Sequence, residues 1–97
     1  MDKELYFRIK GKRDQFLVNE VDVLLDEEIA DMVDKVEKGI ANKTVDTTNR
    51  DLLEDSIKEL IKPYGAKYKR DQKELWKNYS ATIVEEITEY YRDSFQK

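Results

Sequence analysis

The sequence predicts a small, mostly helical α+β domain: a short N-terminal β-hairpin followed by three helices, the last one long. Three observations carry that expectation. The chain has 97 residues, enough for one domain spanning 1–97 with one modest core. Only 3 Gly and 1 Pro interrupt it, and 41% of residues are charged against 39% hydrophobic, a balance that suits helices with ionic outer faces. The apolar residues are also periodic, alternating near the N-terminus and recurring at helical spacing from residue 26 onward. An all-α helical bundle is the alternative.

Leu5, Phe7 and Ile9 alternate with Tyr6, Arg8 and Lys10, which is the period of a half-buried strand. Gly11-Lys12-Arg13-Asp14 is turn-like. Leu17, Val21, Val23 and Leu25 then share one parity, with Glu20 and Asp22 on the other, so residues 4–25 read as a hairpin. A lone two-stranded ribbon is marginal in water, so it would lie on helices or pair with another chain. For residues 14–25 a helix competes, using Leu17, Val21, Leu25 and Ile29 at spacing four.

Asp26-Glu27-Glu28 is a helix start, with Asp26 as cap, acids at the positive end of the dipole, and Leu25 placed to staple onto Ala30. Ile29, Met32, Val33 and Val36 form one stripe, and Gly39 is positioned to stop the helix, near 26–38. Residues 39–47 read as a polar connection. Thr48 caps a second helix, near 48–62, with Leu52, Leu53, Ile57, Leu60 and Ile61 as its apolar face and Glu54–Lys58 as a pair at spacing four. Pro63 and Gly65 end it. Residues 66–95 contain no Gly or Pro, and Tyr68, Leu75, Trp76, Tyr79, Ile83, Ile87 and Tyr90 keep helical spacing, which predicts one long helix.

The chain has no Cys and no His, which removes disulfides, thiol nucleophiles, imidazole bases and Cys/His zinc sites. Glu27, Asp31 and Asp34, like Glu85, Glu86 and Glu89, share helix faces. Neither set has the loop spacing or second element that a Mg²⁺ or Ca²⁺ site needs, so both read as solvated faces. Gly11, Gly39 and Gly65 are isolated, so no glycine-rich phosphate loop is present. The expectation is a protein that is not an enzyme, with no metal and no cofactor. Apolar runs reach only three residues, far below a membrane span, and Met1-Asp2-Lys3-Glu4 lacks a signal-peptide layout. These features predict a cytoplasmic protein without a membrane partner. Thirteen Lys against five Arg suggest an AT-rich genome, hence a bacterium or phage.

Charge is spread unevenly along a chain whose net charge is −4. Glu20 to Glu37 holds eight acids and one base, whereas Lys62 to Lys77 holds six bases and two acids. The bases Lys62, Lys67, Lys69, Arg70, Lys73 and Lys77 are candidates for an anionic partner, nucleic acid included. On a helical wheel with Tyr68 at zero, Lys69, Lys73, Lys77 and Arg70 form one strip at about 100° to 200°. That strip could instead pair with the acidic segment. Tyr64, Tyr68 and Trp76 lie nearby, but rings stack bases only when exposed, and Tyr68 and Trp76 continue the apolar stripe.

The apolar face of the last helix is wider than docking on one core requires, an arc of about 160° against about 100°. Val84, Tyr91 and Phe95 occupy its extra sector and are candidates for a ridge that a protein partner, or a second copy in a homodimer, would bury. The function expected from these features is non-catalytic protein binding, as an accessory, adaptor or inhibitory protein. Nucleic-acid binding through residues 62–77 is the alternative, and a structural subunit of a homo-oligomeric or phage assembly is the next.

Overall fold

The computed structural model describes residues 1–15, 25–68 and 72–95, the side chains of Lys67 and residues 93–95 excepted. Four α-helices follow one another: α1 (Lys3–Asp14), α2 (Asp26–Ala41), α3 (Arg50–Ile61) and α4 (Lys73–Phe95), with a 3-10 segment, Lys62–Lys67, after α3. Among the described residues there is no strand, so the expected hairpin gives way to the all-α alternative.

The first limb of that hairpin is α1. A strand needs Leu5, Phe7 and Ile9 on one face, but Phe7 is 61% exposed while Leu5 and Ile9 are fully buried. Leu5 and Ile9 lie four residues apart, on one face of a helix. The Asp2 side chain caps α1 by accepting from the Leu5 amide at 3.2 Å, and Glu4 in the first turn and Lys12 and Arg13 in the last complement its dipole. Residues 16–24, which carry the expected second limb and its helical competitor, lie outside the described residues.

Helix α2 buries Ile29, Met32, Val33 and Val36, as the stripe predicts. It begins one residue earlier than capping by Asp26 would place it: Asp26 is already helical, and Glu28 reaches back to accept from the Leu25 amide at 2.9 Å. Gly39 does not stop α2. It is buried inside the helix, where a Cβ would lie 2.5 Å from the Val45 side chain. Val45, in the expected polar connection, is a buried core residue, and its amide donates to the Gly39 carbonyl at 2.9 Å. Helix α3 is capped by Asn49 rather than Thr48, through a 2.9 Å bond from the Leu52 amide.

The expected single helix over 66–95 is interrupted. Residues 62–67 are 3-10, Tyr68 is extended, and α4 starts at Lys73. Neighbouring helices run antiparallel, as in up-down bundles. Arg13, ending α1, meets Asp26, starting α2, at 2.7 Å. Arg50, starting α3, meets Glu89 late in α4 at 3.2 Å. Asp2, preceding α1, accepts from the Tyr90 hydroxyl of α4 at 2.6 Å, and its amide donates to Glu37 of α2. Helix α4 packs against both α1 and α3. That double contact accounts for its wide apolar arc, because one helix covers each flank. Among the described residues no helix is long and apolar enough to cross a membrane.

These polar clamps make stability acid-sensitive. The carboxyls of Asp2, Asp26, Asp31 and Asp46 are held below the usual carboxylate range, chiefly by hydrogen bonds from Tyr90, Arg13, Tyr64 and Thr48 respectively. Each takes up a proton more readily unfolded than folded. Their contribution is therefore complete above the unfolded value, about 3.9, and is lost as pH falls through the lower folded values. The melting temperature is expected to hold level from neutral pH to about 5 and to fall below about 4. Asp2→Asn, Asp26→Asn and Asp31→Asn together should flatten that fall in a calorimetric pH series.

Candidate functional site

A cleft of about 400 Å³ opens where the C-terminal half of α3 meets the N-terminal half of α4. Its apolar surface comes from Ile61, Trp76, Ala81 and Val84. Lys58 and Lys62 stand on one side and Lys77 on the other, with Glu59 and Ser80 completing the lining. The sequence builds this place by ending α3 at Ile61: Pro63 falls in the first turn of the 3-10 segment Lys62–Lys67, and α4, which begins at Lys73, returns antiparallel to α3.

Trp76 forms a wall of the cleft and is fixed from several sides. Tyr68 stacks on it, with ring centroids 5.1 Å apart and planes at 28°, and Tyr79 meets it edge-on at 6.1 Å. Gly65 approaches so closely that a Cβ there would lie 2.2 Å from the indole Nε1. The reversal is tied to α2 through Tyr64. Its hydroxyl donates to Asp31 at 2.5 Å, and the Lys35 ammonium lies 5.0 Å from its ring centre.

The electrostatics of the cleft are one-sided. Lys58, Lys62 and Lys77 are all exposed, and among the described residues none of them enters an ion pair. The expected Glu54–Lys58 pair is therefore not formed. By contrast, every described arginine is engaged: Arg8 with Glu86 at 3.7 Å, Arg13 with Asp26, Arg50 with Glu89, and Arg92 with Glu89 at 2.9 Å. Against three lysines, the described lining of the cleft sets one carboxylate, Glu59.

The residues singled out in sequence fall in several places. Val84 is 2% exposed and belongs to the core, so it does not stand out as a ridge but forms part of the cleft floor. Tyr91 is half-buried against the core, its ring edge-on to Tyr90 at 5.0 Å, and burial pushes its hydroxyl up to about 12. The Phe95 side chain lies outside the described residues. Of the basic strip, Lys62 and Lys77 border the cleft and Lys73 is exposed at the start of α4. Lys69, Arg70 and the Lys67 side chain lie outside the described residues. The wheel that aligned Lys69 and Arg70 with Lys73 assumed one continuous helix, and the extended Tyr68 removes that premise.

Sequence reasoning missed Lys58, Ala81 and Gly65. The available signal was Pro63-Tyr64-Gly65, which ends α3. A following helix that returns antiparallel sets its start against the end of the helix before it, bringing Lys58 and Lys62 opposite Trp76 and Lys77. Of the six acid groups considered for metals, four are engaged elsewhere: Asp31 with Tyr64 and Lys35, Asp34 with the N-terminal ammonium, Glu86 with Arg8, and Glu89 with Arg50 and Arg92. Comparison with family models, with curated proteins and with solved structures finds no match to this chain.

Proposed function

We propose that this chain is a non-catalytic protein-binding module, serving as an accessory, adaptor or inhibitory protein, and that it docks a partner segment in the α3–α4 cleft. The observation that carries this reading is the cleft itself, an apolar lining of Ile61, Ala81, Val84 and Trp76 bordered by three lysines that enter no ion pair among the described residues. Its volume of about 400 Å³ falls in the range of clefts that take up an anchoring group. The lining offers apolar surface and positive charge, not a paired acid and base. Val84 changes role: it receives a partner's anchor instead of supplying one.

Nucleic-acid binding through the same bases is less well supported. Tyr68 is 6% exposed and lies on Trp76, so its ring is not open to a base and at most one ring of the pair could stack one.

Ala81 is exposed at the cleft and its side chain is small, so Ala81→Arg fills the cleft without disturbing the core. A partner captured by the wild-type chain, then purified and titrated in a calorimeter, should bind the Ala81→Arg variant at least about tenfold more weakly, a loss of about 1.4 kcal/mol. The melting temperature should stay unchanged. Equal affinity for both proteins would refute docking in this cleft.

A further inference from the structure

Resting on the docking reading, we infer that the segment this cleft accepts is an acidic peptide, with a bulky apolar side chain flanked by Asp or Glu. The apolar floor calls for the anchor. An aromatic or leucine side chain seated on Trp76, Ala81 and Val84 removes apolar surface from water on both partners. The border calls for the flanking acids. Lys58, Lys62 and Lys77 come from three places in the chain, the body of α3, the 3-10 segment and α4, yet surround one opening. Their ammonium groups have long flexible stems that reach a carboxylate on either side of an anchor.

The charge is local. The chain as a whole carries −4, so the positive opening is a patch on a negative molecule. At physiological salt, fields are screened over about 8 Å. An acidic segment therefore responds most to the charge at the cleft itself. A nucleic-acid strand fits less well, since its backbone would leave the apolar floor unfilled.

The test uses a displayed library of random dodecapeptides, selected on the wild-type protein and counter-selected on Ala81→Arg. The expected enriched sequences carry an aromatic residue or leucine between acids and have negative net charge. A synthetic peptide of the enriched sequence, labelled with fluorescein, should perturb the emission of Trp76, the chain's one tryptophan. Lys58→Gln, Lys62→Gln and Lys77→Gln together should weaken it by at least about tenfold, and so should raising KCl from about 50 to 500 mM. Enrichment of neutral or basic sequences dependent on an open cleft would overturn the acidic class and leave docking standing. No enrichment over the Ala81→Arg protein would overturn both. A single-stranded RNA oligonucleotide that displaces the peptide at equal concentration would overturn the peptide class. So would a dimer of the chain, seen by ultracentrifugation, that Ala81→Arg dissociates.

Discussion

Tyr79→Ala is expected to remove about 3–5 kcal/mol of folding stability, the usual cost of deleting a fully buried ring. A domain of 97 residues has about 5–15 kcal/mol in all. The variant should therefore melt roughly 15–30 °C lower or fail to fold. The size of the effect follows from position. Tyr79 is the largest of the fully buried side chains, and it sits in the part of α4 that faces both the core and the edge of Trp76. Leu52→Ala is the control: Leu52 belongs to the apolar face expected of α3 but is 41% exposed, so its truncation should change stability by less than about 1 kcal/mol. Urea denaturation of the two variants measures the contrast. A Tyr79→Ala protein melting within a few degrees of wild type would mean that α4 is not seated as described.

The same contrast between period and burial decides how much of the fold was legible. In α2 the stripe Ile29, Met32, Val33 and Val36 admits one reading, because no alternation of period two passes through it, and all four residues are buried. In α1 the residues Leu5, Phe7 and Ile9 satisfy two periods at once. A spacing of two makes a strand of all three, while a spacing of four makes a helix of the outer pair. Only the burial of the middle member separates these, and burial belongs to the tertiary structure. Phe7 faces out, so the helix wins. The cleft was illegible for a related reason. Lys58 and Lys77 are on different helices, and a wheel drawn on one helix never places them together. Lys62 and Lys77 were visible as charge, but of the floor they border only Val84 stood out, as part of an expected ridge with Tyr91 and Phe95, since the width of an apolar arc does not reveal which neighbour covers it.

Gly65→Ala is expected to cost about 1–3 kcal/mol and to reshape the cleft, because the glycine is there for space and not for backbone freedom. No glycine of the described chain has positive φ, so alanine can adopt the backbone of Gly65. What it cannot do is share the position with Trp76: the added Cβ would lie 2.2 Å from Nε1, 2.5 Å from Cε2 and 2.7 Å from Cδ1. All three are ring atoms, and the ring is held by the stack on Tyr68 and the edge of Tyr79. The indole must therefore move as a body, and it carries one wall of the cleft with it. Trp76 emission should shift, melting should fall, and the acidic peptide should bind more weakly although no lysine has changed. Gly11→Ala provides the opposite sign. Gly11 lies inside α1, and its Cβ would meet nothing within 4 Å. Alanine there keeps the helix and restricts the unfolded chain, which should raise stability by about 0.5–1 kcal/mol with Trp76 emission unchanged. If both variants behaved alike, close packing of Gly65 on Trp76 would not be what shapes the cleft.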